Sequence, residues 1–164
     1  MEKIAVTQPH AGRGVFVTPE QYAREQAHRM ETTRGRLLIA SCRSGAYLAE
    51  KVVQCYETLA NNAGGPGDVL YLAEVDYRFS DSEACVRLDV PVNGDDVFII
   101  QALFDPTRGG NVDQNYMAFL IAARTFREQG ASHVTAVLPY LAYGRQDKPT
   151  RFMREPTTAR LMAD

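Results

Sequence analysis

The chain has 164 residues, a length suited to one domain by the usual roughly 100–200 residues per domain. Hydrophobic residues make up 45% of it, enough for a packed core, and 18 Lys and Arg against 20 Asp and Glu leave a formal charge of −2. That balance argues against a protein that coats nucleic acid through bulk positive charge. No apolar run reaches the roughly 18 residues of a membrane span, and the opening MEKIAVTQPHAGRG lacks the apolar centre of a secretory signal.

In chain order, residues 1–35 stand apart as an N-terminal extension or arm. Thr18-Pro19-Glu20-Gln21 reads as a helix start with a capping box. The helix would run to about Thr33 with an almost wholly polar surface, which buries little by itself. From Arg36 to Asp164 the pattern is regular. Leu37-Leu38-Ile39-Ala40 reads as a buried strand, and Ser44 is a candidate cap for a helix with Leu48, Ala49, Val52, Tyr56 and Leu59 on its inner face. That helix stops at the run from Asn61 to Gly67. A strand over Val69–Val75, a polar turn at Phe79–Glu83 and a half-exposed strand over Ala84–Val90 follow. Asn93-Gly94-Asp95-Asp96 turns the chain into a buried strand at Val97–Ile100. After a Gly-rich loop from Asp105 to Gln114 comes a helix over Asn115–Gln129, with Met117, Leu120, Ile121 and Phe126 inward and Gly130 as its left-handed stop. A strand over Val134–Tyr140 and a short helix from Thr157 complete the pattern. Strands alternating with helices predict an α/β domain with a mainly parallel sheet flanked by helices. The last helix, about two turns long, fits either a frayed terminus or a chain cut inside a larger α/β protein.

Cys42, Cys55 and Cys85 are odd in number and unrelated in spacing, so no disulfide framework or CxxC motif is available. They read as thiols of a reducing compartment, which places the protein in the cytoplasm. His10, His28 and His133 are isolated and form no metal-ligand set. The P-loop, the dinucleotide fingerprint, GxSxG and HExxH are all missing from the sequence.

Ligands of parallel α/β sheets collect beyond the carboxyl ends of the strands, and three loops there stand out. Arg145, Lys148, Arg151, Arg154 and Arg160 face only Asp147 and Glu155 in their stretch, a local +3 suited either to a polyphosphate or to a solvated surface loop. Phe79-Ser80-Asp81-Ser82-Glu83 can stack on a nucleobase and accept its amino protons, or be an ordinary turn. Thr107-Arg108-Gly109-Gly110-Asn111 can form a backbone nest for an anion, or be a flexible link.

Arg78–Glu83, Asp96–Gln101, Val134–Tyr140, Tyr143–Lys148 and Arg154–Pro156, in that order, resemble the amino-terminal half of ribose-phosphate diphosphokinase, also called phosphoribosyl pyrophosphate synthetase. The resemblance covers about Arg36 to Asp164 and implies a phosphoribosyltransferase-like domain, one half of a two-domain enzyme. That family transfers the pyrophosphoryl group of ATP, with Mg2+, to ribose 5-phosphate. The resemblance further implies a homo-oligomer with an ATP site shared between subunits. Phe79, Asp81 and Glu83 would hold adenine from one subunit, and Arg145, Gln146, Asp147, Lys148 and Arg154 would meet ATP from another. No nucleic acid or membrane partner is implied.

The departures count too. Pro149-Thr150 stands where the family commonly has a charged pair, and the loop from Asp105 to Gln114 is lengthened by its Gly pair. The family's sugar-phosphate loop, an acidic pair followed by a Thr-Gly-Gly turn, is missing, since Asp95-Asp96 runs on into Val97-Phe98. The family's catalytic Lys, Arg, His and Asp would lie beyond Asp164, so no catalytic residue is assigned and the chain alone is expected to be inactive. The alternative is a non-catalytic regulatory or structural relative that keeps the oligomer interface.

Overall fold

The computed structural model describes residues 35–64, 69–108 and 110–164; the arm and the expected helix over Thr18–Thr33 lie outside the described residues. The elements are β1 (Leu37–Ser41), α1 (Ala46–Asn62), β2 (Leu70–Leu72), β3 (Asp76–Arg78), β4 (Ala84–Val86), β5 (Asp96–Ile100), α2 (Val112–Glu128), β6 (His133–Val137) and α3 (Thr158–Ala163). Four strands form a parallel sheet in the order β2-β1-β5-β6, and β3 and β4 form a separate antiparallel hairpin. The expected parallel α/β sheet flanked by helices is therefore present. Among the described residues, no helix is long and apolar enough to cross a membrane.

The centre of the sheet is β1 against β5, in register from Leu37 opposite Asp96 to Ser41 opposite Ile100. Alternation along the two strands builds two cores. Leu38, Ala40, Val97 and Ile99 face α2, whose Tyr116, Phe119, Ala122 and Phe126 close the larger core. Leu37, Ile39 and Ile100 face α1 through Ala49 and Val53. A strand covered on both faces must be apolar throughout, which is why both strands read as continuous runs.

Both helices sit rotated from the inner faces expected of them. Val52 and Leu59 of α1 are exposed, while Ala46, Ala49, Val53 and Ala60 are buried. Small side chains let the helix approach the sheet closely, and that outweighs the hydrophobicity of the larger ones. On α2, Met117 and Leu120 face outward and Asn115, Tyr116, Ala118 and Phe119 inward. This helix also starts earlier than expected. Asn111 accepts from the Gln114 N–H at 2.9 Å while the Gln114 side chain accepts from the Asn111 N–H at 3.1 Å, a capping box.

At its far end Gly130 takes φ 87°, with Gly130 N–H donating to Arg127 O and Ala131 N–H to Phe126 O, so the expected glycine stop is in place. Ser44 does not cap α1. Gly45 holds that position, and the Ser44 hydroxyl donates instead to Ala102 O at 2.8 Å. The stretch expected as one strand over Val69–Val75 is only β2, and the chain then turns into β3, which sequence periodicity over three residues cannot signal. The strand expected over Ala84–Val90 is likewise shortened to β4, and that expected over Val134–Tyr140 is β6, whose His133, Thr135 and Ala136 are exposed.

Gly45 shows how closely α1 meets the sheet: a Cβ there would lie 2.2 Å from Ile100 O and 2.8 Å from its carbon. Gly45→Ala is expected to cost about 1–3 kcal/mol by overpacking against backbone. Phe126→Ala, which empties a fully buried ring, is expected to cost about 3–5 kcal/mol. Urea unfolding midpoints at constant slope read both; an unchanged midpoint for Gly45→Ala would deny the close approach.

Candidate functional site

Beyond the carboxyl ends of β5 and β6 lies a cavity of about 650 Å³, walled by Phe104, Tyr140 and Tyr143, the carboxylate of Asp113, and the side chains of Arg145 and Gln146. Its size falls within the roughly 300–1,000 Å³ of small-molecule sites. Arg145 and Gln146 reach it from a single 3-10 turn, Gly144–Gln146. The residue before that turn, Tyr143, has φ 62°, a left-handed conformation that costs a side chain about 1–2 kcal/mol and needs support from its surroundings.

That support is visible. The Tyr143 hydroxyl donates to the Asp113 carboxylate, which pushes the ionisation of Tyr143 up. Its ring meets Tyr116 edge-on, with centroids 6.4 Å apart, and the Tyr116 hydroxyl donates to Met162 O at 2.6 Å. The turn carrying Arg145 and Gln146 is thus fastened to both α2 and α3. Asp147, Lys148 and Arg154 follow on the exposed part of the same loop. Glu155 accepts from the Thr150 N–H at 3.2 Å, and this bonding holds its carboxyl below the usual range.

Phe79, Asp81 and Glu83 gather at the tip of the β3–β4 hairpin. Phe79 N–H donates to Glu83 O at 2.9 Å, Ser82 N–H to Phe79 O at 3.0 Å, and Glu83 N–H to the Asp81 carboxylate at 3.0 Å. Ser82 sits at φ 76°, the positive-φ position of this turn. The Phe79 ring is 50% exposed and braced edge-on by Tyr77 at 5.4 Å. A half-exposed, braced aromatic beside two carboxylates is chemically suited to stack on a base and accept its amino protons. Within one chain the structure brings each expected set together on its own loop, and the hairpin tip contributes no residue to the wall of the cavity.

The loop after Phe104 departs from the expected anion nest. Asp105 Oδ1 accepts from the Thr107 hydroxyl at 2.6 Å, Thr107 N–H at 2.8 Å and Arg108 N–H at 3.3 Å, so a carboxylate of the chain already occupies those amides. The same bonds hold Asp105 below its ordinary range. Asp95 accepts from Arg36 at 2.8 and 3.2 Å, an ion pair below the sheet rather than a ligand-binding acid. Sequence reasoning missed Phe104 and Asp113 as cavity walls. The available signal was an aromatic in the loop that follows the buried strand β5, and an acid in the first turn of the helix after it.

Residues 37–164 match the family model described as the N-terminal domain of ribose phosphate pyrophosphokinase. A ribose-phosphate pyrophosphokinase of Buchnera aphidicola is 41% identical over 87 residues, which are 53% of this chain and 26% of that protein. The one from Vibrio cholerae is 40% identical over 100 residues, 59% of this chain and 30% of that protein. In three dimensions the chain is similar to a crystal structure of phosphoribosylpyrophosphate synthetase from Mycobacterium smegmatis. The TM-score is 0.60 and the identity 32%, over 78% of this chain and 37% of that one. These alignments thus span under a third of the length of either curated relative. With its parallel sheet and both loops in place, the chain belongs to the ribose-phosphate pyrophosphokinase family, as that family's N-terminal domain.

Proposed function

We propose that this domain serves a ribose-phosphate diphosphokinase that transfers the pyrophosphoryl group of magnesium ATP to the anomeric hydroxyl of ribose 5-phosphate. It would supply two separate parts of the ATP site to an assembly of copies. The observation that carries this is the division of these residues between two exposed loops, of which the Arg145–Gln146 turn lines the cavity and the hairpin tip of Phe79, Asp81 and Glu83 does not. In this reading Phe79 stacks on adenine while Asp81 and Glu83 accept from its amino group. Arg145, Lys148 and Arg154 neutralise phosphate oxygens, and Gln146 and Asp147 complete the polar contacts. Phosphoryl-type transfer needs chiefly positioning and neutralisation of spread negative charge, which such loops provide.

Assembly is supported by apolar side chains left outside: Val52 and Leu59 on α1, Met117 and Leu120 on α2. A reducing, cytoplasmic setting is supported by three free thiols, of which Cys42 is buried and held protonated by burial and by nearby Asp76. The rival reading, a non-catalytic relative that keeps the oligomer interface, draws on Pro149-Thr150. There the Thr150 N–H closes a local turn with Glu155, in place of the family's charged pair.

Calorimetric titration with magnesium ATP separates the two readings. Arg145→Ala is expected to weaken binding about tenfold or more, by loss of a charge-assisted hydrogen bond; an indifferent titration favours the non-catalytic relative. Equal mixing of Phe79→Ala and Arg145→Ala chains is expected to restore about a quarter of the binding sites, because random assembly pairs intact loops from different copies. No restoration would mean the two loops do not share a ligand across copies. The 164 residues alone are expected to form no phosphoribosyl pyrophosphate, since they contain no acidic pair followed by Thr-Gly-Gly; measurable product would refute this.

A further inference from the structure

The chain turns left-handed at Tyr143 although a glycine follows it. Tyr143 has φ 62°, whereas Gly144 belongs to the 3-10 turn, and a Cβ on Gly144 would meet nothing within 4 Å. Glycine takes a positive φ at almost no steric cost, and tyrosine does not. A side chain is kept at the strained position, so its contacts must outweigh the strain. Its hydroxyl donates to the Asp113 carboxylate, and its ring meets Tyr116 edge-on at 6.4 Å.

Asp113 and Tyr116 stand three residues apart in α2, a spacing that puts them on one face of the helix. Tyr116 is itself fixed: it is buried, edge-on to Phe119 at 6.2 Å, and donates to Met162 O at 2.6 Å. α3 in turn packs against Gly144–Gln146. The backbone hydrogen bond that closes this turn, Gln146 N–H to Tyr143 O at 3.1 Å, ends on the left-handed residue. The direction in which Arg145 and Gln146 leave the chain is therefore set at Tyr143.

The acid is otherwise out of place. A carboxylate in the wall of a phosphate-binding cavity repels the ligand and attracts the nearest cation. Yet Arg145 lines the same cavity and forms no ion pair with a described residue. An acid in the first turn of a helix also complements the helix dipole. Any acid of that turn would do so, and a hydrogen bond to Tyr143 would then be incidental.

We propose that Asp113 is a positioning residue of the ATP site: it acts on the ligand through Tyr143, holding that residue left-handed so that Arg145 and Gln146 stay at the cavity. This role rests on the proposed reading of the Arg145 loop as part of an ATP site.

Two measurements on the full chain test it. The first needs no ligand: trypsin cleavage after Arg145, with cleavage after Arg124 inside α2 as the gauge of global unfolding. Proteolysis follows the population of the open form. Cleavage after Arg145 is expected to quicken about tenfold in Asp113→Ala and in Tyr143→Phe, with little change after Arg124. Asp113→Asn, which keeps an acceptor for the Tyr143 hydroxyl, is expected to stay close to the original rate. The second is calorimetric titration with magnesium ATP. Asp113→Ala and Tyr143→Phe are each expected to bind about tenfold more weakly. The double variant is expected to bind no more weakly than either, because both changes remove one interaction. Asp113→Asn is expected to bind at least as well as the original chain, since it keeps the acceptor and removes the repulsion. Unchanged or tighter binding in Asp113→Ala identifies a merely repelling acid and overturns the proposal. Additive losses in the double variant, or cleavage that rises equally after both arginines, overturn it too. If the original chain binds no ATP, the reading of the loop as an ATP site fails, while the trypsin rates still decide whether Asp113 holds the turn.

Discussion

The parallel pairing of β1 with β5 is the constraint on which the rest of the molecule depends. All five side chains of β1 are buried, and β5 is buried at four of its five positions. Water therefore cannot satisfy the backbone of either strand, and the ladders do so instead, between the two strands and outward to β2 and β6. The same register sends odd and even residues of β1 to opposite cores, so one shift by a single residue would turn Leu38 and Ala40 out of the α2 core. It also sets the two carboxyl ends side by side, with a crevice where their connections part. Ser41, the one polar residue of β1, is tolerated because its hydroxyl shares a hydrogen bond with the Tyr71 hydroxyl at 3.1 Å.

Much of this was legible in the residues, and the parts that were not have physical reasons. Continuous apolar runs announce strands covered on two faces, and Leu37–Ala40 and Val97–Ile100 fall inside β1 and β5. Gly130 announces a helix end because a left-handed turn is nearly free only for glycine. The helix faces were misread because hydrophobicity scales rank Val52, Leu59, Met117 and Leu120 above alanine, tyrosine and asparagine. Close approach to the sheet instead selects Ala46, Ala49 and Ala60 on α1. On α2 it selects Tyr116, whose ring fills the core while its hydroxyl finds Met162 O, and Asn115, whose amide donates to Leu103 O. Burial of such groups is decided by a partner distant in sequence, which no local window contains.

The candidate site follows the same division. Residue types at Phe79, Asp81, Glu83, Arg145 and Gln146 carry chemistry that can be read from the chain, because charge and aromaticity belong to the residue. Their presentation does not. The outward Phe79 ring depends on the cross-turn bonds between Phe79, Ser82 and Glu83 and on a brace from Tyr77. The Arg145–Gln146 turn depends on Tyr143 remaining left-handed, which the Asp113 and Tyr116 contacts enforce from α2. A cavity wall assembled from the loop after β5, from α2 and from the loop after β6 exists only after the sheet has formed.

The loop after β5 and the turn at Pro149-Thr150 illustrate how backbone bonds engage acids that stand near cations. In the first, Asp105 consumes the backbone donors that might have bound an anion, and Arg108 on the same turn adds a cation beside them. In the second, the Thr150 N–H donates to Glu155, while Arg151 lies over the Phe152 ring at 5.5 Å. Arg145, Lys148 and Arg154 enter no ion pair with a described residue in either case. Taking an acid out of play by backbone hydrogen bonds keeps it from competing for nearby cations, since each carboxylate oxygen accepts a limited number of donors. Positive potential at the carboxyl end of this sheet is thus set less by how many basic residues the loops contain than by which of their acids the backbone has already engaged.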